Sequence, residues 1–221
     1  MKLIKLKGIQ LMALTIFSMS EKVSEILHLP KKTVFEYTRK LRNAGLIRTS
    51  GRGGVPLKME STDVANLILG LMCSDTAVDA PEAVKSIRSG ICKMAHMSET
   101  PDEKTHVDDF PEAVPFAYLK DNNGDMKTFG EVMDTLTTLL SKSNAELDNM
   151  KDDKGNSCDG LSIKIWRNVG TANIGISSND QDWSLEYAPL ADYGTGGYVT
   201  EIWIDALITF MCLKRVGQEV L

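Results

Sequence analysis

Residues 20–58 read SEKVSEILHLPKKTVFEYTRKLRNAGLIRTSGRGGVPLK, and this stretch decides how the amino-terminal third of the chain folds. Apolar residues recur at helical spacing on both sides of residues 27–30, which predicts two helices joined by a tight turn. Ser20 is the expected N-cap of the first helix. The second helix is expected over residues 31–44, with Gly45 just beyond its end.

The turn contains residue types that suit the backbone conformations it requires. His28 stands where the backbone must adopt a left-handed conformation, and histidine is one of the residues enriched there when glycine is absent. Pro30 has the fixed φ that the first turn of a helix accepts. Upstream, residues 9–17 place apolar side chains on more than one face, which predicts a further helix packed under these two.

The second helix has two different faces. Val34, Leu41 and either Tyr37 or Thr38 form a stripe at the spacing that buries one side. After Gly45, residues 46–49 and 55–58 are predicted to be two short strands around a glycine-rich turn. Such a turn lets the backbone approach a groove closely.

Charge is distributed unevenly along the 221 residues, whose formal net charge is −5. Residues 1–58 contain twelve Lys and Arg against three Glu, whereas residues 59–221 contain thirteen against twenty-seven Asp and Glu. Only the first part therefore has the electrostatic character of a nucleic-acid surface.

On this interpretation the second helix enters the major groove of double-stranded DNA. Thr33 and Phe35 could contact thymine methyl groups, and Glu36 could accept a hydrogen bond from a cytosine amino group. Arg52, flanked by glycines, suits a narrow minor groove. The expected DNA-contacting residues are Lys31, Lys32, Thr33, Phe35, Glu36, Arg39, Lys40, Arg42, Arg48 and Arg52.

The pattern V-x-x-I-L-x-L-P-x-x-T-V-x-x-Y-x-x-x-L-R-x-A-G-L-I, followed by a basic glycine-rich hairpin, resembles winged helix-turn-helix regulators of bacteria and their phages. Residues 59–72, MESTDVANLILGLM, are similar to a helix that follows this module in uncharacterised prophage-encoded proteins. The resemblance covers roughly the first third of the chain. Winged helices also serve as protein-docking modules, and a lysine-rich helix face is often only a solvated one.

The middle of the chain predicts helices. One opens at Ser61 or Thr62 and is apolar almost all round, so it should pack back onto the preceding module or form a dimer seam. Pro81 opens another, ending near residues 90–94. Residues 98–109, SETPDEKTHVDD, are expected to form a linker or exposed loop. The expected domains are therefore 1–60, a helical connector over 61–97, and 110–221.

The carboxyl-terminal part mixes both element types. Asn123-Gly124 predicts a hairpin between residues 116–120 and 126–128, and Thr128 with Glu131 fits a capping box that opens a helix. Alternating residues over 161–165, 172–176 and 183–187 predict an antiparallel meander with one buried face. Thr200 is expected to cap a final helix that continues through residues 214–215. The predicted fold class is α+β.

Cysteine content and apolar runs indicate the cellular compartment of the protein. Four cysteines without a C-x-x-C pair favour reduced thiols in a cytoplasm, rather than a disulfide framework or a zinc ribbon. Lys5, Lys7 and Gly8 interrupt the amino-terminal apolar run, and no small-residue cleavage site follows it, so a signal peptide is not expected. The apolar run over residues 202–213 contains Asp205 and is too short to cross a bilayer. A soluble protein without a membrane partner is expected.

No constellation of reactive residues stands out. Residues 121–125 imitate the start of a calcium loop, but Met126 and Val132 occupy positions that need glycine and glutamate. Cys92 and His96, with His106 and Asp108, lack the second close pair of a metal site. Residues 194–197 lack the lysine of a phosphate loop. No enzymatic activity, metal or cofactor is therefore expected.

The combined expectation is a phage- or prophage-type transcriptional regulator that binds specific DNA sequences as a homodimer. Its acidic carboxyl-terminal domain would mediate oligomerisation or meet a protein partner. Two alternatives stay open: a DNA-packaging component similar to a phage small terminase, and a protein-binding inhibitor or adaptor that uses the winged helix for docking.

Overall fold

The computed structural model describes residues 15–49, 57–100, 103–106, 116–140, 160–167, 170–178, 181–189 and 208–209. Over these ranges the chain is α+β, with five α-helices and one antiparallel sheet of six strands. In chain order the elements are α1 (Ile16–Ile26), α2 (Lys31–Asn43), α3 (Ser61–Cys73), α4 (Ala80–Arg88), β1 (Ile91–Thr100), β2 (Glu103–His106), a 3₁₀ helix (Ala117–Leu119), α5 (Phe129–Leu140), β3 (Gly160–Trp166), β4 (Thr171–Ser178), β5 (Gln181–Ala188) and β6 (Ile208–Thr209).

Helix α1 begins earlier than predicted, so Ser20 is not its N-cap. Thr15 is the N-cap, and its side chain accepts a hydrogen bond from the Ser18 N–H (3.3 Å). Ser20 is buried inside the helix, where its hydroxyl donates to the Ile16 carbonyl (2.8 Å). A serine can occupy a helix interior in this way because its hydroxyl bonds the carbonyl four residues earlier. The helix predicted over residues 9–17 falls mostly outside the described residues.

Helix α2 confirms the prediction made from its periodicity. It spans Lys31–Asn43, and Gly45 follows its end with a φ of +76°. That left-handed conformation suits glycine just beyond a helix. The buried stripe consists of Val34, Tyr37, Thr38 and Leu41.

The predicted first strand of the wing is wrong. Residues 46–49 are bends and coil. The Leu46 carbonyl accepts from Nδ2 of Asn66 (2.6 Å), and the Arg48 N–H donates to Oδ1 of Asp63 (3.0 Å). Because side chains of α3 satisfy these two backbone groups, they need no partner strand. Residues 50–56, which include the glycine-rich turn, lie outside the described residues.

Helix α3 lies at the centre of the helical part. Its N-cap is Glu60 rather than Ser61 or Thr62, and Glu60 forms a capping box with Asp63. The helix is buried along most of its length and packs against α2, α4 and α5. Gly70 permits a close approach of α2, since a Cβ there would lie 2.8 Å from Cδ1 of Leu41. Within the chain α3 therefore packs against one preceding helix, α2, and two following helices, α4 and α5. The dimer seam stays a prediction.

Helix α4 starts as predicted, with Pro81 in its first turn, but ends at Arg88. The predicted continuation towards residues 90–94 is wrong, because strand β1 begins at Ile91. Ala95 is buried and lies opposite Leu185 of β5. The apolar spacing of residues 87 and 91 fits a helix, but pairing with β5 decides the conformation, since strand preference depends on tertiary context.

The polar stretch predicted to be a loop forms part of the sheet. Residues 98–100 belong to β1 and residues 103–106 to β2, and the two strands pair antiparallel, with His96 opposite His106. On its other side β1 pairs with β5. Among the described strands, β2 therefore lies at an edge of the sheet. Charged residues are common in edge strands, which they protect from pairing with another chain.

Residues 116–140 agree with the prediction in part. Residues 117–119 form a 3₁₀ helix instead of a strand, and the hairpin is reduced to one bridge between Lys120 and Met126. The predicted capping box of α5 is confirmed. Oε2 of Glu131 accepts from the Thr128 N–H (2.8 Å), and the Glu131 N–H donates to Oγ1 of Thr128 (3.4 Å).

The predicted meander is confirmed as β3, β4 and β5, which pair antiparallel in succession. One face is buried, as alternation requires. The opposite face is polar, and Nδ2 of Asn173 donates to Oγ of Ser184 across it (2.8 Å). The buried face consists of Ile163, Ile165, Ala172, Ile174, Ile176, Trp183, Leu185 and Tyr187.

The strand order is β2-β1-β5-β4-β3-β6. Strand β6 pairs with β3, with Thr209 opposite Ser162. The predicted carboxyl-terminal helix is therefore wrong at residues 208–209, and its other residues lie outside the described ranges. A short apolar run does not distinguish strand from helix by periodicity alone.

Two arginines tie the elements together. Arg88 of α4 donates to both carboxylate oxygens of Asp134 in α5 (3.0 and 2.7 Å). Arg167, just after β3, donates through Nε to the Met72 carbonyl (2.5 Å). Because the last carbonyls of a helix lack intrahelical partners, Arg167 caps α3 from the sheet.

Buried side chains from the helices and from the sheet belong to the same hydrophobic cluster. Helix α3 contributes to it along most of its length, and α5 contacts both α3 and α4. The domain boundaries at residues 60, 97 and 110 stay predictions.

Candidate nucleic-acid interface

The turn between α1 and α2 has the backbone conformation that the sequence predicts. His28 has a φ of 52°, in the left-handed region. The Leu29 N–H donates to the Ser24 carbonyl (3.0 Å), and Oγ of Ser24 donates to the Leu29 carbonyl (2.7 Å). These two hydrogen bonds between Ser24 and Leu29 hold the turn against the end of α1, and so they fix the direction of α2 relative to α1.

Contacts on the inner side fix the rotation of α2 about its own axis. The Tyr37 hydroxyl donates to the Ser74 carbonyl (3.0 Å), and the hydroxyls of Thr38 and Ser20 share a buried hydrogen bond (2.9 Å). Val34 and Leu41 are fully buried beside them. Because these contacts lie on one side of α2, its opposite face is left to solvent.

The residues of α2 that are predicted to contact DNA lie on its solvent-facing side. Its amino-terminal turn is the most exposed part. The exposed members are Lys31, Lys32, Thr33 and Arg39, and the partly buried members are Phe35, Glu36, Lys40 and Arg42. The structure therefore places these residues on one outward-facing surface, which we call the α2 face.

Two cations of the α2 face have carboxylate partners. Nζ of Lys31 lies 3.1 Å from Oε1 of Glu21, and Nη2 of Arg39 lies 2.6 Å from Oε2 of Glu36. All four side chains are about half exposed. Exposed pairs of this kind contribute little stability, so a phosphate could replace either carboxylate at small cost.

Three other cations of the α2 face have no ion-pair partner among the described residues. They are Lys32, Lys40 and Arg42. At the start of α2, Pro30 makes no side-chain capping hydrogen bond. The amino end of the helix thus retains its partial positive charge, which favours an anion nearby.

Arg48 is directed to α3 instead. Its Nε and Nη2 donate to Oδ2 of Asp63 (2.9 and 2.7 Å), and its Nη1 pairs with Glu60. Hydrogen bonding to Asp63 raises the pKa of Arg48 above its ordinary value. These contacts give Arg48 a structural role in holding residues 46–49 against α3. Arg52 lies outside the described residues.

Sequence reasoning missed a groove beside the α2 face. The rings of Phe17 and Phe35 lie 5.9 Å apart, and Phe17 is 66% exposed. The groove has a volume of about 210 Å³. Phe35 was the sequence signal for it, since a large aromatic side chain on an outward helix face can bury apolar area by contacting another ring. The lining residues are Ile16, Phe17, Ser20, Phe35, Glu36, Thr38, Arg39 and Arg42.

The two described cysteines are poor nucleophiles. Burial raises the pKa of the Cys73 thiol to about 12, and burial likewise raises that of Cys92 to about 12. Both thiols are therefore protonated at neutral pH, whereas the thiolate is the reactive form.

Residues 121–125, which imitate a calcium loop in sequence, form an ordinary turn. Oδ1 of Asp121 accepts from the N–H groups of Asn123 (2.8 Å) and Asp125 (3.0 Å). Cys92 and His96 belong to strand β1, so they are not one helical turn apart. In the described part of the chain, no three His, Cys, Asp or Glu residues cluster so as to hold a metal. Residues 194–197 lie outside that part.

No protein-family model, curated protein or solved structure matches this chain. Among the helices of the described ranges, none combines the length and apolar character that crossing a bilayer requires. The geometry and charge of the α2 face are therefore the features from which function can be inferred.

Proposed function

We propose that the chain is a sequence-specific DNA-binding protein that places α2 in the major groove, as a helix-turn-helix regulator would. The observation that carries the proposal is the α2 face, a solvent-facing row of cations held in place by the turn at His28. Lys32, Lys40 and Arg42 on this face have no acidic partner among the described residues.

The dimensions fit this placement. An α-helix with its side chains is about 10–12 Å across, and the major groove is about 12 Å wide. The amino-terminal residues Lys32 and Thr33 would reach base edges. Lys40 and Arg42, in the later turns, would meet phosphates and fix the register without reading sequence.

Charge distribution supports the same orientation. Residues 1–58 are strongly basic and residues 59–221 strongly acidic. A polyanion is attracted to the first part and repelled by the second, so the field of the whole chain would steer the α2 face towards DNA. A homodimer would bind a two-fold-related site whose half-site spacing is set by the rest of the chain.

Selection of bound sequences from a random pool of double-stranded DNA tests the proposal, and a palindromic motif is expected. Affinity for that motif should fall as salt rises. Lys40→Gln and Arg42→Gln should each reduce the slope of log K against log salt by about 0.9, because one phosphate contact is lost. Lys164→Gln, which removes an exposed lysine of the sheet, is the charge-matched control and should leave the slope unchanged. Salt-insensitive binding, or none at low ionic strength, would contradict the proposal.

The groove beside Phe17 and Phe35 favours one second candidate, a protein-docking role for the same module. Exposed aromatic side chains are enriched where proteins meet. A pull-down that survives nuclease treatment, with no shift of labelled DNA, would favour docking over DNA binding.

A further inference from the structure

The last turn of α3 is held in place by side chains. Its C-cap, Ser74, is extended, with a φ of −132° and a ψ of 150°, so the chain leaves the helix without a further turn. Oγ of Ser74 donates to the Gly70 carbonyl (2.9 Å). Arg167 donates to the Leu71 carbonyl through Nη2 (3.2 Å) and to the Met72 carbonyl through Nε (2.5 Å). Because the last four carbonyls of a helix have no intrahelical partner, these side chains determine how well the turn is ordered.

The same turn of α3 also binds α2. The hydroxyl of Tyr37, a buried side chain, donates to the Ser74 carbonyl (3.0 Å). One turn further along α2, Leu41 packs on Gly70, where a Cβ would lie 2.8 Å from Cδ1 of Leu41. A buried hydroxyl that loses its acceptor is destabilising. The position of the Ser74 carbonyl therefore constrains the rotation of α2 about its own axis.

Arg167 connects this turn to the sheet, because it directly follows β3. Its side chain is only 18% exposed, and its Nη1 also pairs with Asp75, just beyond the end of α3. Within the described ranges α2 packs mainly against α1, α3 and α4, whereas α3 also contacts β3. The carboxyl end of α3 therefore links the sheet to α2: Arg167 binds it from the sheet, and Tyr37 binds it from α2.

We propose that Arg167 is a positioning residue for the α2 face. It orders the carboxyl end of α3, and the Ser74 carbonyl there sets the rotation of α2 through Tyr37. The sheet thereby controls how the cations of the α2 face are presented to DNA, and in this respect the inference rests on the proposed function. Arg167 itself does not contact DNA, since its donors are directed to α3 and Asp75.

Affinity of full-chain variants for the DNA motif obtained from the pool selection is the first test. Arg167→Met removes the donors, and Tyr37→Phe removes only the hydroxyl. Arg167→Met should bind about 5-fold more weakly. The double variant should bind no more weakly than Arg167→Met alone, because both changes break the same path. The salt slope should stay unchanged, since no phosphate contact is lost. Arg167→Lys, which keeps a charged donor, should recover part of the affinity.

Lys127→Met is the matched control. Lys127 is likewise a partly buried cation, and its Nζ donates to the carbonyl of Tyr118 (2.9 Å) and to Oγ1 of Thr135 (3.2 Å). Neither partner belongs to α2 or α3. This variant removes the same charge as Arg167→Met, so it should change neither the affinity nor the salt slope.

Amide hydrogen exchange without DNA measures the same coupling independently of the proposed function. Relative to the amides of α5, those of α2 should exchange about 5-fold faster in Arg167→Met, because a loosened α2 opens more often. Adding Tyr37→Phe should accelerate α2 no further. Lys127→Met should leave the exchange of α2 unchanged.

Any of four results would overturn the inference. Two come from exchange: no acceleration of α2 relative to α5 in Arg167→Met, or additive effects of Arg167→Met and Tyr37→Phe. The third is an unchanged DNA affinity of Arg167→Met. The fourth is a salt slope reduced by about 0.9 in Arg167→Met, which would make Arg167 a phosphate contact. If the unmodified chain binds no DNA, the proposed function fails by itself, and the exchange measurements still decide whether Arg167 positions α2.

Discussion

Replacing Arg48 by methionine separates a structural role for this residue from a role in DNA binding. The guanidinium donates twice to Oδ2 of Asp63, whose side chain is only 2% exposed. Methionine preserves much of the aliphatic volume but no donor. The Asp63 carboxylate then keeps only the N–H groups of Glu60 and Arg48 as hydrogen-bond donors.

The cost follows from this geometry. Removing one partner of a fully buried ion pair costs about 3–5 kcal/mol, because the other charge is left without its counter-charge. Arg48 is itself 36% exposed, so water reaches part of the site and the cost should be smaller, about 2–3 kcal/mol. Arg39→Met breaks only the exposed pair with Glu36 and should cost about 0.5 kcal/mol.

Urea unfolding followed by circular dichroism measures the difference. The midpoint should fall clearly for Arg48→Met and hardly at all for Arg39→Met, with unchanged slope. Asp63→Asn should lower stability by a similar amount, and the double variant should cost less than the sum, since the two changes remove one shared interaction. The reasoning would be refuted if Arg48→Met cost no more than Arg39→Met. Lost DNA binding at unchanged stability would instead make Arg48 a DNA contact.

Three further changes test other parts of the structure. His28→Gly should keep or raise stability, whereas His28→Val should lower it by about 1–2 kcal/mol in thermal unfolding, because a β-branched residue resists a φ of 52°. Equal effects of the two substitutions would contradict the left-handed turn. Hydrogen bonds from Thr128 lower the pKa of Glu131 below its ordinary value of 4.5. The Glu131 carboxylate therefore stabilises the folded chain fully above about pH 4.5, and this stabilisation is lost as the pH falls through the lower pKa of the folded state. The deficit of Glu131→Ala, about 0.5–1 kcal/mol at pH 7, should therefore shrink in acid, and a pH-independent deficit would argue against this account. Cys73, which is buried, and Cys92, which is partly buried, should resist alkylation at pH 7 until the chain unfolds, since burial raises both thiol pKa values to about 12. Peptide mass spectrometry measures the labelling, and rapid labelling of the folded chain would contradict the raised pKa values.

The segments that sequence predicts well are those whose local signals agree with each other. Helix α2 has a periodic apolar stripe, a proline at its start and a glycine after its end, and each signal acts within a few residues. The meander alternates strictly over three strands, so the buried face follows from the residue order alone. Most of the candidate site lies on α2, so its residues can be named without a structure.

The secondary-structure predictions are wrong where contacts with residues distant in the sequence determine the conformation. The local pattern of β1 predicts part of it as a helix and part as a loop, because its conformation depends on pairing with β5 some ninety residues later. Residues 46–49 have the local pattern of a strand, but Asp63 and Asn66 of α3 bind the Arg48 N–H and the Leu46 carbonyl instead of a partner strand. No local pattern encodes either partner.

By itself, the sequence determined the α+β class, helix α2 with the turn before it, the capping box of α5 and the basic character of the first 58 residues. These depend on propensity, periodicity and composition, which are properties of neighbouring residues. Only the tertiary structure decided that Arg48 is bound to Asp63 and that Phe17 and Phe35 line a common groove. Those facts depend on how α1, α2 and α3 pack, because a side chain's partners are set by the approach of elements that are distant in the chain.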